Sequence, residues 1–212
     1  MKYDPIKNSL FIKNRQNFTN KLAKNSVAFF NSNDIYPISA DSTLPFEQHR
    51  DIFYLSGINQ EESILVLFPD SSEDKHKEIL FIRETNDHIT HWEGEKLTKK
   101  QARKISGIKN IYWTNEFDDI IKKLIKESDF IYINKNEHYR QNVETQTRED
   151  RFIEKLKKTA GLKFKMSNPI LQKQRSIKDN IEIELIKKAC EITKKGFNRV
   201  LHLISFVTTS FI

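Results

Sequence analysis

The chain has 212 residues and a mass of 25.1 kDa, enough for one sizeable domain, or for one domain and the start of a second. Charged residues make up 31% and hydrophobic residues 37% of the chain, a composition that excludes fibrous and membrane-embedded classes. The formal charge is +7, but lysines recur between apolar residues, as on the solvent faces of separate helices. We therefore expect no nucleic-acid partner.

The N-terminal half of the chain carries signals for one helix and three strands. Asp4 and Pro5 predict a helix that runs to about residue 23, and residues 26–30 predict a strand. Residues 31–45 are rich in turn formers and predict a loop. Residues 52–55 and 64–68 predict two strands that flank a bend at Gly57. The second of these runs is apolar on both faces, which is typical of a central strand.

The second half alternates between strand and helix signals. Residues 79–82 predict a strand that forms a hairpin with residues 64–68. Further strands are predicted at 111–113 and 130–133. Helices are predicted after Thr98, after Asn115, over 149–160 and after Asp179. Two of these helices begin with a capping box, formed by Thr98 with Gln101 and by Asp179 with Glu182. Residues 162–178 are basic, contain Pro169 and predict a connector. This alternation favours an α/β layer fold.

One cysteine and the absence of long apolar stretches limit the location of the protein. Cys190 alone excludes an intrachain disulfide and a cysteine-based metal cluster. It falls on the apolar side of the last helix, and we interpret it as a packed thiol rather than a nucleophile. The charged N-terminus lacks a signal-peptide pattern, and no stretch reaches the roughly 20 apolar residues of a membrane helix. We expect a cytoplasmic protein with no membrane partner.

Three motifs, in order, carry a resemblance to a known family. The first is QxxDxFYLSGxxxxESxLVLF, here residues 48–68; the second is WxGxxL, here Trp92, Gly94 and Leu97; the third is RxIKxxxEIxLIKKAxEIT, here residues 175–193. Together they resemble the Xaa-Pro aminopeptidases (aminopeptidase P): the N-terminal domain and the entry into the catalytic domain.

The resemblance implies a fold and a domain organisation. It implies a mixed β-sheet of about six strands flanked by helices, a layout similar to the creatinase N-terminal and ribonuclease H-like domains, followed by a linker and one long helix. In these terms residues 1–161 are the N-terminal domain and residues 162–178 are the linker. Residues 179–212 are the first helix of a truncated pita-bread catalytic domain.

The same resemblance implies an activity that these residues do not carry by themselves. In the family a catalytic domain binds two metal ions, usually manganese, through two Asp, one His and two Glu, and removes an N-terminal residue that precedes proline. All of those ligands are expected downstream of the helix that begins near Asp179. We therefore expect no catalytic residue and no metal in this chain, which we interpret as a truncated, frameshifted or split gene product acting in assembly and cleft shaping.

Two residues are candidates for a functional surface. The resemblance implies that Trp92 reaches toward the active site of a neighbouring subunit and forms a wall of the cleft for proline-containing peptides; the alternative is one more core aromatic. Asp51 either lies at the same subunit contact or makes an ordinary hydrogen bond at a strand end. We expect self-association through the N-terminal domain.

Two alternatives remain open from the sequence. His88 and His91, with Glu93 and Glu95 nearby, could form a small metal site, although a solvated loop leading to Trp92 is the favoured interpretation. The whole chain could also be a non-catalytic protein-binding module of the same architecture, as in a eukaryotic histone chaperone.

Overall fold

A six-stranded mixed sheet lies at the centre of the first of two compact units, Met1–Gln174, and the second unit is Arg175–Ile212. The computed structural model describes residues 5–135, 145–159 and 161–209, with the backbone alone for 87, 92, 93 and 204–209. The strands of the sheet are β1 (Ser26–Asn31), β4 (Ile64–Leu67), β5 (Glu78–Ile82), β6 (Asn110–Trp113), β7 (Phe130–Ile133) and β8 (Phe164–Met166). They are ordered β6-β5-β4-β1-β7-β8, which confirms the predicted mixed sheet.

Strand directions place most of the strand ends at one edge of the sheet. β1 pairs in parallel with β7, β7 with β8, and β5 with β6, while β4 is antiparallel to both of its neighbours β1 and β5. Every strand of the sheet except β4 therefore ends at the same side, here called the carboxyl edge, and β4 begins there. The β4–β5 hairpin agrees with the prediction from residues 64–68 and 79–82.

Helices cover both faces of the sheet. Those that contribute buried side chains to the core are α1 (Asn8–Thr19), α2 (Arg50–Ser56), α4 (Lys99–Ser106), α5 (Phe117–Glu127), α6 (Arg148–Lys157) and α7 (Asn168–Ser176). A further short helix, α3 (Asp87–Glu93), follows β5. Successive side chains of a strand point to opposite faces, so Phe30 packs with Phe18 of α1 while Phe29 packs with Phe117 and Phe152 of α5 and α6. The sheet is thus buried on both sides, as the apolar β4 predicted.

The predicted strand at residues 52–55 is wrong: this run forms the helix α2. The His49 side chain caps its start by accepting the Asp51 N–H at 3.3 Å, and Gly57 ends it in the left-handed conformation, with φ +70°. Ile52 and Leu55 are three residues apart and both fully buried, a helical spacing. A run of four apolar residues is too short to distinguish a strand from a helix. The His49 cap and the left-handed Gly57 mark the two ends of a helix here.

Several other predicted boundaries also differ from the structure. α1 begins at Asn8 after an extended Lys7, so Pro5 lies outside the helix, and Asp4 lies outside the described residues. Asn115 lies in a 3-10 turn that precedes α5, rather than acting as its cap. The predicted loop 31–45 contains a separate two-stranded hairpin, β2 (Pro37–Ser39) and β3 (Ser42–Thr43).

The predicted connector 162–178 is largely structured. It supplies the edge strand β8, through parallel hydrogen bonds to β7, and then α7. A three-residue edge strand has too short a pattern to be recognised before its partner strand is known. The assignment of residues 1–161 to the N-terminal domain and of 179–212 to a catalytic-domain helix stays a prediction.

The second unit is dominated by one helix, α8 (Asn180–Thr209). Asp179 caps it: its carboxylate accepts the Ile181 N–H at 2.9 Å, and its own N–H donates to Glu182 at 2.8 Å. Cys190 is exposed, so the predicted packed thiol is wrong. A single helix has no second layer within its own unit to bury its apolar side.

Candidate functional site

Polar side chains gather at the carboxyl edge, around the end of β1 and the start of β4. Asn31 is the last residue of β1, and Ser32 follows it with an N–H that donates to the Ser63 carbonyl at 2.9 Å. The Ser32 hydroxyl accepts the Ser63 N–H at 3.1 Å and an Arg148 N–H at 3.0 Å. These bonds join the two central strands to the first turn of α6.

Glu149, also in the first turn of α6, binds the ends of two parallel strands. Its carboxylate accepts the Asn31 side-chain N–H at 2.7 Å and the Asn134 backbone N–H at 3.1 Å. Burial raises the pKa of Glu149 above its ordinary value of 4.5, although the Asn31 and Asn134 donors oppose that shift. The carboxylate therefore ties the ends of β1 and β7 together.

Asp51 lies beside this group, in the first turn of α2 and not at a strand end. It is buried, and one carboxylate oxygen accepts the Asn134 side-chain N–H at 3.1 Å. The same oxygen lies 3.9 Å from His49 Nδ1. The bond to Asn134 connects α2 to the end of β7, and a role for Asp51 in a subunit contact stays a prediction.

Gln48 is the other polar residue of the QxxD element. Its side-chain N–H group donates to the carbonyls of Ile58, at 3.2 Å, and Gln60, at 3.0 Å, beyond the far end of α2. The oxygen of the Gln48 side-chain amide accepts the His49 N–H at 2.8 Å. Gln48 thus holds the loop between α2 and β4 against the start of α2.

Trp92 lies in the segment that leaves the carboxyl edge after β5. Its backbone belongs to α3, whose start is capped by Asn86, with the Ile89 N–H donating to Asn86 Oδ1 at 2.9 Å. The predicted loop here is therefore a short helix. The Trp92 side chain lies outside the described residues, so neither its role as a cleft wall nor its role in the core is tested.

The end of the Trp92 segment is bound to the loop before β4. The Leu97 N–H donates to Gln60 Oε1 at 2.7 Å, and Lys96 Nζ lies 2.5 Å from Glu61 Oε1. Sequence reasoning missed Gln60, Glu61, Asn134 and Glu149. Their side chains contact groups 15 to 118 residues away in the chain, so no local pattern indicates these residues.

The chemistry of these side chains is binding and positioning, and we assign no catalytic step to them. Among the side chains that the structure describes, no three of His, Cys, Asp and Glu are grouped so as to hold a metal ion. His88 and His91 lie on exposed positions of α3, and the Glu93 side chain lies outside the described residues. The described side chains therefore do not fit a two-manganese site. Within the described ranges, no helix is long and apolar enough to cross a membrane.

The fold and the sequence place the chain in a family. The family described as "Aminopeptidase P, N-terminal domain" matches residues 11–132, more than half of the chain. The chain therefore belongs to the family of aminopeptidase P N-terminal domains. This finding confirms the resemblance carried by residues 48–68 and by the Trp92 motif.

Several of the individual relatives are named as Xaa-Pro aminopeptidases. The chain is 29% identical over 167 residues to Xaa-Pro aminopeptidase 3 of Dictyostelium discoideum, covering 77% of this chain and 30% of the relative. It is 26% identical over 198 residues to the Escherichia coli Xaa-Pro aminopeptidase, covering 90% of this chain and 44% of the relative. The low-pH structure of E. coli aminopeptidase P superposes with a TM-score of 0.73 at 25% identity, covering 90% of this chain and 43% of that one. A further structure of that enzyme contains the inhibitor Pro-Leu. The chain spans less than half the length of these relatives.

Proposed function

We propose that this chain serves as the N-terminal domain of a manganese-dependent Xaa-Pro aminopeptidase, an enzyme that removes an N-terminal residue preceding proline. Its part is assembly and shaping of the substrate cleft, and the catalytic domain that binds the metal ions in this family is its partner. The observation that carries the proposal is the match to the aminopeptidase P N-terminal family over residues 11–132. The alignment to the E. coli enzyme over 90% of this chain supports it.

The nature of the substrate follows from the relatives. The relatives are named for peptides with proline in the second position, and one E. coli structure contains Pro-Leu. A proline ring offers apolar faces and no amide donor, so an aromatic wall suits it. We assign that wall to Trp92, on the segment that leaves the carboxyl edge.

Self-association is the second part of the proposal. The β2–β3 hairpin and its flanks expose large apolar side chains, among them Ile38 at 59% and Leu44 at 53%. Exposed apolar residues gathered in one short segment are typical of a contact surface between protein chains. We propose that this hairpin takes part in the contact between copies of the chain, in the cytoplasm.

Light scattering coupled to size-exclusion chromatography tests the assembly. We expect a dimer or a larger oligomer, and we expect Ile38→Ser with Leu44→Ser to shift it toward monomer. A matched control is Ile177→Ser, an exposed apolar position outside both the hairpin and α8. A wild-type chain that is monomeric at all concentrations would contradict assembly and favour the alternative, a non-catalytic protein-binding module.

A hydrolysis assay tests the division of labour. The purified 212-residue chain is incubated with an Xaa-Pro dipeptide and manganese, and its metal content is measured by mass spectrometry. We expect neither turnover nor stoichiometric metal until a catalytic domain is supplied. Turnover by the chain alone would refute the proposal.

A further inference from the structure

Both ends of the Trp92 segment, residues 83–97, converge on one buried carboxylate. Glu61 is 7% exposed and lies in the loop before β4. Its Oε1 is 2.5 Å from Lys96 Nζ, near the end of the segment, and 3.8 Å from Arg83 NH1, at its beginning. A surface excursion whose two ends are held close together is an Ω-like loop.

Gln60 adds a neutral bond to the same attachment. Its Oε1 accepts the Leu97 N–H at 2.7 Å, and its side chain is buried. Its backbone carbonyl accepts a side-chain N–H of Gln48 at 3.0 Å. The attachment point is therefore held to the start of α2 on one side and to the Trp92 segment on the other.

The Glu61–Lys96 pair differs from the surface ion pairs of this chain. The exposed fractions of the two side chains are 9% for Glu61 and 12% for Lys96. Exposed ion pairs contribute little, because water and salt screen them, whereas removing one partner of a buried pair leaves an uncompensated charge. The second carboxylate near Arg83 belongs to Glu62, whose Oε1 lies 3.9 Å from Arg83 NH1. The Glu62 side chain is 48% exposed. Glu61, and not Glu62, is therefore the residue that determines the attachment.

We propose that Glu61 and Gln60 are positioning residues, which fix residues 83–97 against the carboxyl edge and thereby hold Trp92 in place for the cleft. The benefit to substrate binding rests on the proposed function, since the role of Trp92 comes from there. The attachment itself rests on the contacts of Glu61, Gln60, Lys96 and Leu97.

Fluorescence of Trp92 tests the attachment directly. Trp113 is the other tryptophan, so Trp113→Phe leaves Trp92 as the single reporter in the full chain. Against that background we expect Glu61→Gln to lower the fluorescence anisotropy of Trp92, because the segment that carries it detaches and moves more often. Lys96→Gln should do the same, and the double variant should add little to either single one, because the two changes break one interaction.

Glu62→Gln is the matched control, with the same chemical change one residue away on an exposed side chain. We expect it to leave the fluorescence anisotropy of Trp92 unchanged. If Glu61→Gln fails to fold by far-UV circular dichroism, Lys96→Gln carries the test from the loop side. Anisotropy in both Glu61→Gln and Lys96→Gln equal to that in Glu62→Gln would overturn the proposal.

Hydrogen exchange tests the Gln60 bond separately. Gln60→Leu removes the acceptor of the Leu97 N–H, and we expect the protection of that amide to fall about tenfold. Asn59→Leu, at the exposed neighbouring position, should leave it unchanged. Unaltered Leu97 protection in Gln60→Leu would remove Gln60 from the proposal.

These readouts need neither a peptidase nor an oligomer. A monomeric chain with no partner would defeat the proposed function while the fluorescence and exchange results still stood. Unchanged fluorescence in a chain that self-associates would defeat the attachment alone.

Discussion

Arg15 of α1 is fully buried, and replacing it with methionine tests what holds the helical layer together. One terminal nitrogen donates to the carbonyls of Leu55 and Ser106, both at 2.9 Å, and the other lies 3.1 Å from Glu78 Oε2. Leu55 and Ser106 are in the last turns of α2 and α4. A cation is favourable there, because helix carbonyls without partners carry partial negative charge.

The expected cost follows from the groups that Arg15→Met leaves behind. Each buried carbonyl without a donor costs about 1–3 kcal/mol. Breaking a buried ion pair costs about 3–5 kcal/mol when the remaining charge stays buried, but Glu78 is 34% exposed and water can solvate it. We therefore expect the two carbonyls to dominate and the free energy of unfolding to fall by about 3–5 kcal/mol, since methionine retains most of the packing.

Urea unfolding followed by tryptophan fluorescence and far-UV circular dichroism measures the loss. Arg103→Met is the control: it makes the same change on an exposed side chain of α4, and we expect a loss of less than about 1 kcal/mol. Arg15→Lys should be intermediate, because an ammonium group keeps the charge but lacks the planar fork that reaches the two carbonyls with one nitrogen and Glu78 with the other. A loss in Arg15→Met no larger than in Arg103→Met would refute this reasoning.

Three further predictions concern backbone and charge. Gly57→Ala should lower the free energy of unfolding by about 2–4 kcal/mol in urea titrations. A Cβ at position 57 would lie 2.3 Å from a phenylalanine ring of α1, and the backbone φ there is +70°. The control Gly196→Ala should not destabilise the chain, because a Cβ at position 196 meets open space. Hydrogen bonds from lysines lower the pKa of Glu73 to about 2, so Lys123→Gln should return that pKa toward 4.5 in an NMR titration, and an unmoved pKa would exclude Lys123 as its main cause. Burial raises the pKa of Glu149 in the folded chain, so the contribution of Glu149 to the free energy of unfolding is favourable below pH 4.5 and is lost as the pH rises through the folded pKa. Glu149→Gln should therefore flatten the fall in stability toward neutral pH. An unchanged pH profile of stability would contradict that.

The sequence by itself determined most of the sheet and several helix ends. Apolar runs at β1, β4, β5 and β7 are strong because strands buried on both faces must be apolar throughout. The capping boxes at Thr98 and Asp179 are local chemistry, so they can be read within four residues. The ordered motifs were also sufficient to indicate the family to which the chain belongs.

Tertiary structure decided what depends on partners distant in the chain. The run at 52–55 became a helix because Ile52 and Leu55 pack on the sheet and Gly57 turns away beside α1. β8 exists because β7 offers an open edge to a short segment that would not form a strand alone. From the sequence of α1 alone, Arg15 would be expected on the surface. It is buried because the ends of α2 and α4 and the side chain of Glu78 surround its guanidinium group. Likewise Glu61 is one of five consecutive polar residues, 59–63, in the loop before β4. Only the fold brings Arg83 and Lys96 to its carboxylate, because electrostatic contacts form wherever the packed elements place opposite charges.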